Sequence, residues 1–229
     1  MISSNWSFLL VFCTLIIGGS TTLSAQKKWV VRDSILHDFK DGTLVVRLKS
    51  HEKKLNKINE LIKKKSIDTG DKKRLEKKRD YIIQNRDRFN RELVGAFNTS
   101  YNFSNVVFMF DKDLKKFKDG RFEELFLDQH LDPVSEMPAM NGSVYFFGEG
   151  QTNTPGNSVE GLLVMDANSE QLPNWFPNFF RAKSNLKSFF GIFSKTKYAY
   201  RPQEKVIGKF QSELESRWKD LQDRENITK

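Results

Sequence analysis

Residues 41–50 read DGTLVVRLKS, and residues 105–110 read NVVFMF. Each contains a short apolar run rich in β-branched or aromatic side chains, the pattern of a buried strand. What lies between them decides the fold. From Ser50 the chain turns highly charged with a helical period, and Leu55, Ile58, Leu61 and Ile62 fall on one face. The stretch 66–70, SIDTG, offers a stop for that helix and an N-cap for another. Beyond it Leu75, Ile82, Phe89 and Ala96 recur at every seventh position, with Leu93 beside them. Two strands separated by a pair of antiparallel helices imply a crossover, and therefore parallel pairing.

Working outward, Asp33 or Ser34 can cap a helix through Ile35, Leu36 and Phe39 that ends at Gly42. Asp111 is placed to cap another, carrying Leu114 and Phe117 and stopped by Gly120. Residues 122–127 read as a third strand, interrupted by Glu123 and Glu124. Residues 143–147 and 159–165 flank the polar loop GEGQTNTPGNS as an antiparallel hairpin. After Pro202, a single apolar stripe of Val206, Ile207, Phe210, Leu214, Trp218 and Leu221 predicts a terminal amphipathic helix. The fold class that follows is α/β, a single three-layer-like domain. Its mixed sheet is parallel in the first half and antiparallel in the second, with the helical hairpin inserted at 49–97.

The chain has 229 residues, a formal charge of +9 and one cysteine. One cysteine excludes an internal disulfide framework and any CxxC metal or redox motif. Residues 6–19, WSFLLVFCTLIIGG, are too short a run to span a bilayer, where roughly 20 residues are needed, but suit a signal-peptide core. Residues 1–25 are therefore expected to be a signal peptide cut after Ala25, and 26–229 the α/β domain. A retained N-terminal anchor is the alternative, since no Lys or Arg precedes the apolar run. Cleavage would remove Cys13, the only thiol, and leave the whole positive charge.

The charge is concentrated. Residues 49–94 hold 16 Lys or Arg against 8 Asp or Glu, leaving the remainder close to neutral. The runs Lys63-Lys64-Lys65 and Lys72-Lys73-Arg74 flank the hairpin tip, where like charges repel. Such density binds polyanions through counterion release, and in an exported protein these are anionic lipid head groups, lipopolysaccharide phosphates or acidic glycans. No RRM, KH or zinc-finger pattern accompanies the charge, so nucleic acid is not an expected partner. The opposing reading is a solvated hairpin whose Lys/Glu alternation serves solubility and i,i+4 pairing.

Residues 41–50 together with IIQNRDRFNRELVGAF at 82–97, VVFMF at 106–110, FLD at 126–128 and VEGLLVMD at 159–166 resemble a group of small exported proteins of Bacteroidota. The Ser24-Ala25-Gln26 junction is similar to signal-peptide ends in those bacteria. The resemblance implies an envelope or secreted α/β protein and carries over no catalytic residue.

Two further candidate sites remain. Asp111, Asp128, Glu149 and Asp166 each follow a strand candidate, and a pair such as Asp111 and Asp128 could serve a carboxylate-dependent hydrolase of glycans or related polymers. Turn and capping chemistry is the plainer account of all four. The stretch 172–193, with Trp175, Phe176, Phe179, Phe180, Phe189, Phe190 and Phe193 among basic residues, is either a docking surface for an envelope protein or membrane interface, or a cover for the sheet. No GxSxG, GxGxxG or P-loop pattern occurs, and His37, His51 and His130 lack metal-ligand spacing. The sequence points to no cofactor and no metal. The leading expectation is a non-enzymatic envelope module that docks through its basic hairpin and the aromatic pair Trp175 and Phe176.

Overall fold

The computed structural model describes residues 31–64, 66–152, 158–181 and 200–227. The expected signal peptide, Lys65, residues 153–157 of the polar loop, and Phe189, Phe190 and Phe193 of the aromatic stretch lie outside them. The chain divides into two compact units, residues 1–38 and 39–229. Helix α1 covers 31–41 and stops before Gly42, as the sequence predicts, but Asp33 and Ser34 lie inside it and do not cap it.

In the second unit the order is β1 (Thr43–Leu48), α2 (Glu52–Lys63), α3 (Thr69–Ser100), β2 (Asn105–Phe110), α4 (Leu114–Lys118), β3 (Phe126–Leu127), β4 (Val144–Gln151), β5 (Glu160–Met165), β6 (Phe179–Phe180) and α5 (Gln203–Ile227). A single 3-10 turn, Asp111–Asp113, joins β2 to α4. The strands form one mixed sheet in the order β3-β2-β1-β4-β5-β6. Strand β1 is central and runs parallel to both neighbours, with Val46 level with Phe108 on one side and Phe147 on the other. The β4–β5 and β5–β6 pairs are antiparallel. Thus the mixed α/β sheet read from the sequence is present, with the inserted hairpin and the terminal helix.

Two details differ. The third strand is confined to Phe126–Leu127, because Glu124 takes a left-handed φ of 50° and turns the chain ahead of it. It also runs antiparallel to β2, with Met109 level with Phe126. Helix α4 has only five residues, about 7.5 Å of rise, and cannot carry the chain back along β2, which is roughly 20 Å long. The chain therefore re-enters the sheet at the carboxyl end of β2. The connection to β4 then crosses the amino ends of β2 and β1. There Asn105 Nδ2 donates to the Ala139 carbonyl (2.6 Å), and Thr43 Oγ1 exchanges hydrogen bonds with the Asn141 backbone (2.8 and 3.1 Å).

Strand alternation gives the sheet two apolar faces. On one, Phe97 from α3 stands edge-on to Phe147 and Phe108. Phe210 from α5 stacks on Phe147 and meets Phe39, Tyr101 and Phe180. The stripe expected on α5 is buried at Val206, Ile207, Phe210, Leu214 and Leu221, whereas Trp218 is half-buried. The opposite face gathers Val45, Val107, Met109, Phe126, Phe146, Leu163 and Met165 under Leu114, Phe117 and Phe122. This second cover is short, and it leaves the carboxyl ends of β1 and β2 open.

Candidate functional site

The hairpin is a pair of helices that pack mainly on each other toward the tip. Ile58 is the one buried residue of α2, and burial on α3 begins only at Ile82. Asp68 caps α3 by accepting from the Asp71 N–H (2.9 Å), and this backbone bonding holds its carboxyl below the usual range. At the tip Lys63, Lys64, Lys72, Lys73 and Arg74 are all exposed. Arg74 pairs with Asp71 at 3.2 Å, a weak surface pair. The structure therefore brings the described residues of the two basic runs to one solvated end.

The first cation of the hairpin region is elsewhere. Lys49, just after β1, is 4% exposed. Its Nζ lies 2.5 Å from Glu149 Oε1 on β4 and donates to the Tyr200 hydroxyl (2.6 Å), with the Phe89 ring 3.6 Å away. Asn90 of α3 completes the arrangement, accepting from the Lys49 N–H (3.0 Å) and donating to its carbonyl (2.9 Å). Its carboxamide thus serves Lys49 as a neighbouring strand would. Lys49 is an internal clasp between strand and helix, and does not belong to the docking charge.

Asp111 does not cap the helix that follows it. Neither that turn nor α4 has a side-chain cap. The Asp111 carboxylate instead accepts from the Ser50 N–H (3.0 Å) and from the Ser50 hydroxyl, joining the carboxyl ends of β2 and β1. Asp128 is not brought to it. Continuing the β2–β3 register places Asp128 level with Val107, four residues or roughly 13 Å along the strand from Asp111. There Asp128 closes its own turn, accepting from the N–H groups of His130 (2.8 Å) and Asp132 (2.9 Å). Glycoside hydrolysis needs two carboxyl groups within roughly 5–10 Å of each other, and Asp111 and Asp128 do not form such a pair. Glu149 is held by Lys49, and Asp166 accepts from the Glu170 N–H (2.8 Å) at the other end of the hairpin. Among the described residues no group of three or more His, Cys, Asp or Glu is placed to hold a metal ion.

Phe176 is also corrected. It is 2% exposed and packs on Phe39 with ring centroids 4.9 Å apart, so its ring has no face to offer a partner. The order PNWFPNFF explains this, since β6 must lay Phe180 against Phe210 and draws the preceding residues inward. Trp175 is half-buried, edge-on to Phe176.

Sequence reading passed over Arg47. In a β-strand of otherwise apolar residues it projects onto the second face, level with Met109 and Gly148. A Cβ on Gly148 would meet Arg47 Cβ at 3.0 Å, so the glycine leaves room for the arginine stem. Arg47 lines a cavity of about 820 Å³ at the carboxyl ends of β1 and β2. Burial lowers its pKa, partly offset by the Asp111 charge. Its Nε is buried without a hydrogen-bond partner, and Nη1 has the Met165 sulfur at 4.0 Å. His51, in a left-handed conformation with φ 53°, borders the same cavity. Burial and the nearby Lys49 and Lys54 charges push its pKa down, which favours the neutral imidazole.

Among the described residues no helix is long and apolar enough to cross a membrane. No family model, curated protein or solved structure matches this chain.

Proposed function

We propose that this is a non-enzymatic exported protein of the cell envelope that docks on an anionic lipid surface through the tip of its basic hairpin. The observation that carries this reading is the exposure of Lys63, Lys64, Lys72, Lys73 and Arg74 at one end of the hairpin. Little apolar burial holds the tip in place for the sake of the sheet, so its charge is not explained by folding. A cluster of this kind gains about 1 kcal/mol per cation near an anionic membrane at low salt, and less as salt screens it.

The test replaces Lys63–Lys65 and Lys72–Arg74 with alanine in the full chain. Sedimentation with vesicles containing a fifth to a third anionic lipid should fall toward the level seen with neutral vesicles. Raising salt from 50 to 300 mM should weaken the wild type in the same direction. Unchanged retention on anionic vesicles and on envelope fractions would sink the proposal. Loss from envelope fractions with unchanged vesicle binding would replace the lipid surface by a protein partner.

A further inference from the structure

The cavity at the carboxyl ends of β1 and β2 is walled by cations from four pieces of chain. They are Arg47 on β1, Lys53 and Lys54 in the first turn of α2, Lys112 on the 3-10 turn, and Lys115 and Lys118 on α4. Three carboxylates share the wall, Glu52, Asp111 and Asp119. Asp119 pairs with Arg121 (2.8 Å), and Asp111 keeps its charge while accepting from Ser50, so the six cations still outnumber the carboxylates that face them. Lys118 donates to the Asn168 carbonyl (3.3 Å), leaving its charge uncompensated there.

Arg47 gives this excess of positive charge a direction. A guanidinium withdrawn from water into an apolar sheet face is costly unless an anion meets it. Here its Nε has no partner, its Nη1 has only a weak sulfur acceptor, and the Asp111 charge offsets its burial only in part. The fork of a guanidinium matches two oxygens of a phosphate or carboxylate. The position also suits a ligand, because open α/β sheets bind theirs beyond the carboxyl ends of parallel strands. The first turn of α2 lines the cavity and has no side-chain cap from His51, so the positive end of the helix dipole adds to the field.

We propose that this cavity is a binding site for a phosphomonoester, with Arg47 as the bidentate contact and Lys54, Lys112 and Lys115 supplying counter-charge. At about 820 Å³ it has room for more than the phosphate, which fits a phosphorylated polar body such as a sugar phosphate or a lipid head group. The site stands on residues other than the hairpin tip, so either proposal can fail alone.

The experiment uses the full chain and two probes: glycerol phosphate in solution, followed by calorimetry, and vesicles containing phosphatidic acid, followed by sedimentation. Arg47→Met should weaken binding by about tenfold or more while leaving the melting temperature equal or higher, because an unpaired buried charge is exchanged for an apolar chain. Arg47→Lys should recover only part of the binding. Lys54→Ala/Lys112→Ala/Lys115→Ala changes only exposed positions and keeps the test usable if Arg47→Met misfolds; it too should weaken binding. The alanine variant of the hairpin tip should bind glycerol phosphate as the wild type does. Saturable binding in solution assigns a free phosphorylated ligand, and Arg47-dependent binding of vesicles alone assigns a head group. No saturable binding of either probe by the wild type overturns the site. So does binding that neither the Arg47 variants nor the triple-lysine variant weakens.

Discussion

Lys49 and Arg47 are two residues apart and meet burial in opposite ways. The Lys49 ammonium is enclosed by Glu149, Tyr200 and the Phe89 ring, so its charge is compensated within the fold. Arg47 has no such enclosure. Replacing Glu149 should therefore remove a carboxylate that compensates an internal cation. Glu149→Gln is expected to destabilise by about 2 kcal/mol, below the usual cost of breaking a buried pair because the Glu149 side chain is 36% exposed. The double variant Lys49→Met/Glu149→Gln should cost less than Glu149→Gln alone, since neither charge then remains. Urea unfolding of both variants measures this. A double variant less stable than Glu149→Gln alone would show that the ion pair does not act as a unit.

At the scale of elements, the hairpin and the sheet are separable in energy. The part of the hairpin nearest the tip buries Ile58 and little else, whereas the base of α3 buries Phe89, Leu93, Val94, Ala96 and Phe97. Replacing residues 60–74 by a short glycine-rich turn should leave the melting temperature within a few degrees of the wild type while abolishing retention on anionic vesicles. Circular dichroism and the sedimentation assay read the two halves of that prediction. A large loss of stability would mean that the tip serves the fold.

Elements with a one-dimensional signal were legible beforehand. Strands β1 and β2 coincide with their apolar runs, and α3 and α5 follow their stripes because each buries a face that its own period specifies. The third strand was overdrawn because nothing in RFEELFL announces that Glu124 turns left-handed. Its direction depends on α4 being five residues long. The candidate site was less legible. Lys49 looks like any other lysine of a charged stretch until Glu149, a hundred residues on, is placed beside it. Asp111 resembles a cap and turns out to hold Ser50. An arginine within TLVVRL was the one available sign of the cavity, since burying a charge in a central strand calls for a reason.

For the molecule as a whole, the stability profile should be set at its alkaline end by two tyrosines. Burial pushes the Tyr101 phenol above its ordinary value of 10.0, and burial together with the Glu149 charge does the same to Tyr200. A raised folded-state value means that the native chain keeps protons which the unfolded chain releases. This contribution is fully present below pH of about 10 and is lost as the pH rises further through the folded-state values. Melting temperatures should thus fall steeply above pH of about 10, and Tyr101→Phe should make the decline shallower. A wild-type profile that stays flat to pH of about 11.5 would contradict it.

The margins of the sheet carry a last consequence. Strands β3 and β6 each contribute two paired residues, and the outer side of β3 is already bridged at Leu127 by Pro133, which has no N–H to donate. A flat, unpaired border invites another chain to extend the ladder, and short or proline-bearing borders refuse it. At the β3 border the chain is thereby kept from zipping, backbone to backbone, with further copies of itself.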